Sequence, residues 1–346
     1  MQEIHKGQTV NKTLYLIDPK YRKSSGLNPS SRYRAYHDLQ ATGGNGRIQF
    51  WDQAIGNTFE TAVFIRPRKT NSFLNALHKL KKNRAVITAD FDDLIFIPEL
   101  SNRLPAVLNG NASPATIHKM AQQYHEALKY FSQLSVSTAG LVPWVRQVVP
   151  DAVIHIRPNH LPLYGAKMPC SLTTFEHRHE VHYFSGTRSH QHDLAFILPA
   201  LRQWLDKNPE KTLVLRGSIR IPDKLKHCNV RHEPGCHYLA MGENLQRAMA
   251  CIVPLQDTEF NQCKSAIKFL EAAQHGIPVI ASPAGEYRTL TDGPLLANSN
   301  EEWFALLQKL AGNKRFWLEQ SLQQQQTAWQ YGLAPVHEKS MIQSAI

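Results

Sequence analysis

The chain has 346 residues and a net charge of +11, and its composition excludes two broad classes of protein. Hydrophobic residues make up 42% and aromatic residues 9%, which is too apolar for an intrinsically disordered chain. No apolar run approaches the roughly 20 residues that cross a membrane, and the start lacks the apolar core of a signal peptide. We therefore expect a cytoplasmic protein, and the length allows two domains that each bury a core.

Positive charge is concentrated in the first half of the chain. Residues 1–165 hold 20 Lys and Arg against 11 Asp and Glu, whereas residues 166–346 hold 19 against 17. A basic surface attracts anionic partners, so this asymmetry favours a phosphorylated glycan or an anionic lipid surface. We expect no nucleic acid, because no nucleic-acid-binding motif accompanies the charge. A surface that only keeps the protein soluble is the alternative.

Short apolar strands alternate with helical patterns along the whole chain, which predicts parallel sheets covered on both faces. The clearest helix is 114–131, and a second alternation begins near Val181. We therefore predict an α/β protein with two stacked doubly wound domains. The predicted strands are Thr13–Ile17, Arg47–Trp51, Ala62–Ile65, Ala85–Ala89, Leu134–Ser137, Val153–Ile156, Val181–Ser185, Thr212–Leu215, Val230–His232, Ala250–Val253, Val279–Ala281 and Pro294–Leu296.

The domain boundaries follow from these two alternations. We place the first domain at residues 1–170 and the second at residues 171–320. The remaining segment, 321–346, is Gln-rich and compatible with a helix, and we expect it to return to the first domain. A frayed polar tail is the alternative for this segment.

Segment 261–282 carries the strongest functional signal. It runs from a polar loop into a short helix and through Gly276-Ile-Pro278 into a buried strand, which places a helix N-terminus at the carboxyl end of a parallel sheet. Such a terminus suits phosphate because its first N–H groups lack helical partners. Glu271 would face the same crevice and accept ribose hydroxyls. The predicted diphosphate contacts are Lys264, Ser265, Ala266, Ile267 and Lys268.

This segment resembles the donor site of GT-B glycosyltransferases, especially those of family 4, in which Glu-x7-Glu precedes Gly-x-Pro-Val-Ile-Ala. The second Glu matches Glu271, but Cys263 stands at the first position, so Asn261 and its neighbours are left to contact the donor sugar. The resemblance implies two Rossmann-like domains facing a central cleft and a nucleoside diphosphate sugar as donor. An ordinary helix and strand of a doubly wound domain is the alternative.

Two turns of the second half would border the same cleft. Gly186, Thr187 and Arg188 follow the first strand of the second domain, where a guanidinium can hold two phosphate oxygens. The resemblance supports Arg188 in that role. Gly217 follows the next strand and would let the backbone approach the nucleotide. A plain connecting turn is the alternative for each.

Charged residues also follow strands of the first half. Asp92 and Asp93 lie at the end of a buried strand, where carboxylates suit general-base work on an acceptor hydroxyl. They also resemble a metal-binding Asp-x-Asp, but GT-B enzymes usually act without a bound metal, so we expect no metal and no cofactor. Ser30 is predicted to cap the helix after the first strand. The residues expected to bind an anionic acceptor are Arg32, Arg34, Arg66 and Arg68.

The resemblance implies a glycosyltransferase that moves a sugar from a nucleoside diphosphate to a glycan or lipid-linked acceptor in bacterial surface polysaccharide synthesis, with retention of anomeric configuration. Peripheral association with the inner face of the membrane would suit such an acceptor. The alternatives are a CMP-sugar transferase, a sugar-nucleotide epimerase, and a catalytically inactive glycan-binding protein. The predicted catalytic residues are Arg188, Lys264, Asp92 and Asp93.

Overall fold

The computed structural model describes residues 13–24, 28–41, 44–56, 59–161, 172–186, 190–237 and 240–332. These residues form two six-stranded sheets in which all neighbouring strands are parallel. The first sheet contains the strands of residues 13–156 and the second those of residues 180–296. The predicted α/β architecture with two doubly wound units is confirmed.

All twelve predicted strands are present, and no end is shifted by more than two residues. The fourth strand runs on to Phe91, two residues past its predicted end, and Ile65 of the third strand lies opposite Asp90 in the register. The strands are β1 (Thr13–Ile17), β2 (Gly46–Phe50), β3 (Thr61–Ile65), β4 (Val86–Phe91), β5 (Gln133–Val136), β6 (Val153–Ile156), β7 (Glu180–Ser185), β8 (Thr212–Gly217), β9 (Val230–Glu233), β10 (Ala248–Val253), β11 (Val279–Ala281) and β12 (Leu295–Leu296).

The strand order determines where a ligand would bind. The first sheet has the order β2-β1-β3-β4-β5-β6 and the second β12-β11-β10-β7-β8-β9. In each sheet the direction of winding reverses once, between β1 and β3 and between β10 and β7. Open parallel sheets bind ligands beyond the carboxyl ends of the strands at such a reversal. In the second sheet, the segments that follow β7 and β10 therefore border the expected site.

Helices connect the strands. The predicted helix 114–131 ends at Leu128. The α-helices are α1 (Pro29–Ser31), α2 (His37–Ala41), α3 (Asn71–Lys82), α4 (Pro105–Leu108), α5 (Pro114–Leu128), α6 (Val142–Val148), α7 (Gln191–Phe196), α8 (Leu198–Lys207), α9 (Met241–Asn244), α10 (Glu259–Gln262), α11 (Ile267–Ala273), α12 (Asn300–Gly312) and α13 (Lys314–Gly332). Short 3₁₀ helices span Pro19–Ser24, Pro98–Arg103, Ala139–Leu141, Leu172–His177, Asp223–Leu225 and Gly285–Arg288.

The first helix begins differently from the prediction. Asn28, and not Ser30, caps it: the Asn28 side chain accepts a hydrogen bond from the Ser31 backbone N–H at 3.1 Å. Pro29 occupies the first helical position, where its missing N–H costs nothing. A π-helical segment, Arg32–Tyr36, then joins α1 to α2, and its Arg32 and Tyr33 side chains contact Glu271 of the second half.

Each sheet has its own apolar core, and Cys263 of the second half packs into the core of the first. Phe64, Phe73 and Phe91 are fully buried in the first core. Trp204 and Trp303 are fully buried in the second. Cys263, which belongs to the second half of the sequence, packs in the core of the first. The sequence position that lacks the family's glutamate is therefore a contact between the halves.

The Gln-rich helix α13 packs against the second sheet. The Trp317 indole donates to the Met249 carbonyl at 2.8 Å, and the Gln324 side chain accepts from the Val279 backbone N–H at 2.7 Å. The last residue of α13, Gly332, accepts from the Leu161 N–H at 3.1 Å. The expected return of 321–346 to the first domain stays a prediction, since 333–346 lie outside the described residues. Among the described helices, none is long and apolar enough to cross a membrane.

Candidate functional site

Loops from the carboxyl ends of both sheets meet in a cleft. On one side, the segments after β4, β5 and β6 supply Asp93, Thr138 and Asn159. On the other side, the segment after β10 supplies Cys263 and Ser265. Thr138 donates to the Cys263 carbonyl at 2.9 Å, and Asn159 donates to the Ser265 hydroxyl at 2.8 Å. These contacts lie beside the reversal between β7 and β10, where the strand order predicts a ligand site.

Lys264 joins the two sides through a carboxylate. Its ammonium lies 2.6 Å from Asp93 Oδ1, and Arg66 contacts both Asp92 and Asp93. Burial alone would raise the pKa of Asp93, but the charges of Lys264 and Arg66 outweigh burial and lower it to about 2. The structure thus brings together three predicted catalytic residues, Lys264, Asp92 and Asp93, in one charged cluster.

Glu271 lies in the same cleft, two turns along from Lys264. Its carboxylate accepts hydrogen bonds from the Tyr33 hydroxyl at 2.5 Å and from Arg32 at 3.2 Å, and its side chain is 13% exposed. Burial raises the pKa of Glu271, while the Arg32 charge and the Tyr33 hydrogen bond oppose that rise. A carboxylate held in this way keeps acceptor capacity for further hydroxyl groups.

Lys268 places a positive charge in the cleft that an anion could bind. Its ammonium lies 5.6 Å from the centre of the Tyr183 ring, and no described carboxylate forms an ion pair with it. Burial, with a smaller contribution from Lys264, lowers its pKa to about 8, although the nearby charges of Asp193 and Glu271 act against this shift. Burial also lowers the pKa of His190, to about 4, and the Lys268 charge adds to that shift. A bound anion would offset this concentration of positive charge.

The predicted phosphate contacts at the start of α11 are only partly free. The Ala266 backbone N–H donates to the Glu286 carboxylate at 3.0 Å, and the Ser265 hydroxyl accepts from Asn159. Ile267 begins the helix, which has only seven residues. The Ala266 N–H has no helical partner, as expected, but a carboxylate from the loop after β11 already accepts its hydrogen bond, so this N–H is not free for a phosphate.

Glu286 is a site residue that the sequence analysis missed. Burial raises its pKa to about 7, although the Ala266 hydrogen bond and the Arg34 charge act against this rise. The preceding Gly285 has a φ of +53°, and a Cβ there would lie 2.3 Å from the Lys264 carbonyl oxygen. The sequence signal for this residue was the Gly285-Glu286 pair shortly after β11, because a glycine lets the backbone approach a neighbouring segment closely.

Asn261 is placed for a structural role. It is 3% exposed, and its amide donates to Asp193 Oδ1 and to the Gln256 carbonyl, both at 3.0 Å. Asp193 and the Gln256 carbonyl use the amide N–H groups, which fixes the loop that carries Lys264. The Asn261 Oδ1, in contrast, is buried without a partner among the described residues, so the predicted contact with the donor sugar stays a prediction. Asp193 also bonds His190 at 3.1 Å.

Arg34 does not face an acceptor as predicted. Its side chain is 1% exposed and pairs with both oxygens of Asp90, at 2.7 and 2.8 Å. Arg157 also contacts Asp90, at 2.8 Å. Burial alone would raise the pKa of Asp90, but Arg34 and Arg157 hold it below its ordinary value. A buried pair of this kind is costly to break, typically by about 3–5 kcal/mol, so Arg34 supports the fold behind the cleft.

The other three arginines proposed for an anionic acceptor are paired as well. Arg32 contacts Glu271, Arg66 contacts Asp92 and Asp93, and Arg68 contacts Asp18 at 2.6 Å. Their charges are thus largely neutralised within the protein. The residues on which the anionic-acceptor prediction rested do not form a free basic patch.

The glycine turns of the second half differ from one another. Thr187 and Arg188 lie outside the described residues, so their predicted roles stay predictions. A Cβ at Gly186 would meet nothing within 4 Å, which leaves open space beside β7. At Gly217 the φ is +95° and a Cβ would lie 2.2 Å from the Ser185 carbonyl oxygen, so packing against β7 is enough to require glycine there.

The Asp92 and Asp93 carboxylates of the cleft are paired with cations of the protein itself. Within the part of the chain that the structure describes, no group of three or more His, Cys, Asp and Glu side chains is placed to hold a metal ion. Asp92 and Asp93, which resemble a metal-binding pair in sequence, contact Arg66 and Lys264 instead.

No protein-family profile matches the chain, and no match was found among curated proteins. Solved structures do match the fold. Alr3699/HepE from Anabaena, in complex with UDP-glucose, gives a TM-score of 0.61 at 12% identity, with 94% of this chain and 96% of that chain covered. WaaG, a glycosyltransferase involved in lipopolysaccharide biosynthesis, gives 0.55 at 15% identity, with 91% and 95% covered.

A third structure is longer than this chain. A single-residue mutant of TarM from S. aureus, in complex with fondaparinux, α-GlcNAc-glycerol and UDP, gives a TM-score of 0.56 at 12% identity. The match covers 81% of this chain and 54% of that chain, so this chain spans about half of TarM. The fold of this chain is therefore the GT-B fold, as predicted.

Proposed function

We propose that this protein is a glycosyltransferase that binds a uridine diphosphate sugar in the cleft and transfers the sugar to a glycan or lipid-linked acceptor. The observation that carries the proposal is Lys268, a partly buried cation that forms no ion pair with a described carboxylate, beside Lys264 at the reversal of the second sheet. A diphosphate supplies the missing negative charge. Structures of similar fold that hold UDP or UDP-glucose support uridine as the base.

The remaining contacts follow from the geometry of the cleft. Glu271 accepts hydroxyl groups of the ribose, and Tyr33 and Arg32 hold its carboxylate in position. Lys264 and Lys268 bind the diphosphate. Since a nucleoside monophosphate carries less charge, two lysines favour a diphosphate donor over a CMP-sugar. Arg188 completes the diphosphate site if the family resemblance holds.

In the reaction, an acceptor hydroxyl oxygen forms a bond to the anomeric carbon while the bond from that carbon to the β-phosphate oxygen breaks. The bonding electrons leave with the diphosphate, where Lys264 and Lys268 stabilise the developing charge. The hydroxyl proton passes to an oxygen of the leaving diphosphate. This route retains the anomeric configuration and needs no protein nucleophile.

Asp93 acts here through Lys264 and not as the base. Its pKa of about 2 makes it a weak proton acceptor, because an efficient general base has a pKa near the working pH. Its carboxylate instead holds the Lys264 ammonium at 2.6 Å. Asp92 is held in the same way by Arg66. These pairings support a transfer that does not depend on a metal ion.

We place the reaction in bacterial surface polysaccharide synthesis at the inner face of the membrane. A structural neighbour named for lipopolysaccharide biosynthesis supports this setting. The acceptor is a sugar unit of a glycan or lipid-linked chain. Because the four arginines are paired, they no longer argue for an anionic acceptor.

A thermal-shift screen tests the donor class, followed by assay of nucleotide release from sugar donors. We expect UDP to raise the melting temperature more than CMP, GDP or dTDP, since ligand at 100 times its dissociation constant stabilises by about 2.7 kcal/mol. UDP release from a UDP-sugar then identifies an enzyme. Binding of UDP without release from any sugar donor would favour the inactive glycan-binding alternative, and preference for CMP would overturn the donor class.

A further inference from the structure

A second cavity opens between the two halves, next to the charged cluster. It has a volume of about 430 Å³. Trp144 of α6 lines it from the first half, and Asp257, Glu259 and Gln262 line it from the second. Cys263 also lines this cavity, and the next residue, Lys264, is the one paired with Asp93. A molecule bound in the cavity would therefore lie beside the proposed transfer site.

The walls of the cavity are held in place by contacts between the halves. The Cys263 thiol donates to the Gly140 carbonyl at 3.2 Å, and a Cβ on Gly140 would lie 2.7 Å from the Gln262 carbonyl oxygen. Burial raises the pKa of the Cys263 thiol to about 12, with a contribution from Asp93, while a hydrogen bond with Trp144 acts against it. This thiol therefore stays protonated near neutral pH, and it is hydrogen-bonded to the Trp144 side chain.

The lining combines an aromatic ring with hydroxyl-binding groups. Trp144 is half-buried and lines the cavity, so part of its indole ring is accessible there. Opposite it, the Asp257 and Glu259 carboxylates offer oxygens that accept hydrogen bonds, and the Gln262 amide bonds Asp257 at 2.5 Å. A hexopyranose presents an apolar face of C–H groups and a rim of hydroxyl donors, which matches such a lining.

The negative charge of the residues that line the cavity favours neutral sugars over acidic ones. Two carboxylates line the cavity, and no Lys or Arg is among its lining residues. Cations reach only its edge, where Arg103 contacts Glu259 at 2.5 Å and Arg288 contacts Gln262. A sugar that carries a carboxylate or phosphate would be repelled by Asp257, whereas a neutral sugar would not.

We propose that this cavity is the subsite for the acceptor sugar and that it takes a hexopyranose unit without an acidic substituent. The role of the unit as acceptor rests on the proposed function. Trp144 stacks on the sugar ring, and Asp257 and Glu259 accept its hydroxyl groups. For the sugar unit that occupies this cavity, the proposal replaces the expected anionic acceptor with a neutral acceptor.

The test is saturation-transfer NMR on the full chain, with methyl glycosides of glucose, galactose, N-acetylglucosamine and glucuronic acid as probes. We expect signals from at least one neutral glycoside and none from the glucuronide. Trp144→Ala should weaken binding of the neutral glycoside about tenfold, and Trp144→Phe should retain most of the binding because it keeps an aromatic ring. Asp257→Asn should let the glucuronide bind, and Tyr331→Ala, at an exposed aromatic residue elsewhere, should change nothing.

UDP affinity of the same proteins separates this proposal from the proposed function. Trp144→Ala should bind UDP as wild type does, which also shows that the variant is folded. No signal from any neutral glycoside, equal binding of the glucuronide to wild type, or full binding by Trp144→Ala would each overturn the subsite. If wild type binds neutral glycosides through Trp144 but does not bind UDP, the proposed function fails and the sugar site stands.

Discussion

The Lys264 ammonium lies 2.6 Å from the Asp93 carboxylate, although the two residues are 171 positions apart and follow strands of different sheets. The pair fixes a cation of the second half against a carboxylate of the first, at the edge where both sheets end. The charge that would stabilise a leaving diphosphate is thus positioned by the opposite side of the cleft.

Replacing Lys264 with Ala should lower the turnover number of sugar transfer by about 100-fold, the usual loss when one donor to a developing negative charge is removed. Affinity for uridine should stay within about twofold, because the lysine contacts only the diphosphate. Steady-state UDP release and calorimetric titration of uridine measure the two effects. Lys224→Ala, at an exposed lysine of the same half, is the control. Equal losses of uridine and UDP affinity would remove Lys264 from the diphosphate site.

Replacing Glu271 with Ala should weaken uridine binding by about 1.5–3 kcal/mol, because charge-assisted hydrogen bonds to the ribose are lost. Tyr33→Phe is the matched variant: it removes a hydroxyl that holds Glu271 but leaves the carboxylate in place. Its uridine affinity should fall much less. If the two variants lose affinity equally, Glu271 acts by closing the cleft with Tyr33 and not by binding ribose.

Sugar transfer should continue in the presence of EDTA. Asp92 and Asp93 are paired with Arg66 and Lys264, so the carboxylates that resemble a metal site already have cations of the protein. Turnover is compared before and after dialysis against the chelator, with added magnesium or manganese as a second arm. Complete loss with EDTA, restored by manganese, would revive the metal interpretation of Asp92 and Asp93.

The stability of the protein should depend on Glu286 between pH 4.5 and about 7. Its pKa in the folded protein is raised from 4.5 to about 7, so the folded state holds a proton that the unfolded state releases. The stabilising contribution is therefore fully present below pH 4.5 and is lost as the pH rises through about 7. Melting temperatures of wild type and Glu286→Gln across this range measure it.

The Gln variant keeps a side-chain oxygen for the Ala266 N–H but cannot ionise. Its melting temperature should therefore fall less than that of wild type as the pH rises. Glu243→Gln, at an exposed carboxyl group of the same half, should follow wild type. Parallel curves for wild type and Glu286→Gln would contradict a buried, proton-binding Glu286.

Periodicity was enough to predict both sheets, because fully buried parallel strands appear as short apolar runs separated by helical patterns. The predicted β4 ended too early because Asp90 is a charged residue, and a charged residue in the sequence indicates the end of a buried strand. In the structure Asp90 lies within the sheet because Arg34 and Arg157 pair with its carboxylate. Arg34 and Arg157 lie 56 and 67 positions from Asp90 in the sequence, so their pairing with it leaves no local sequence pattern. The same limit explains why the arginines were expected on the surface.

The candidate site was predictable where its residues are contiguous. Lys264, Lys268 and Glu271 were found because one loop and one short helix carry all three. Glu286 and the cavity at Trp144 were missed, since each reaches the site only through packing between segments that are distant in sequence. For Cys263, the sequence showed only that the family's glutamate is absent, whereas packing shows that this side chain joins the two halves.

The most direct test of the account is calorimetric titration of wild type and Lys268→Met with UDP and with uridine. We predict that wild type binds UDP at least about tenfold more tightly than uridine, because the partly buried Lys268 ammonium gains a charge-assisted contact. Lys268→Met should lose most of that difference. Lys309→Met, which alters an exposed lysine that also lies over an aromatic ring, should keep it. Wild-type protein that binds UDP no better than uridine, or binds neither, would contradict a nucleoside diphosphate site in this cleft.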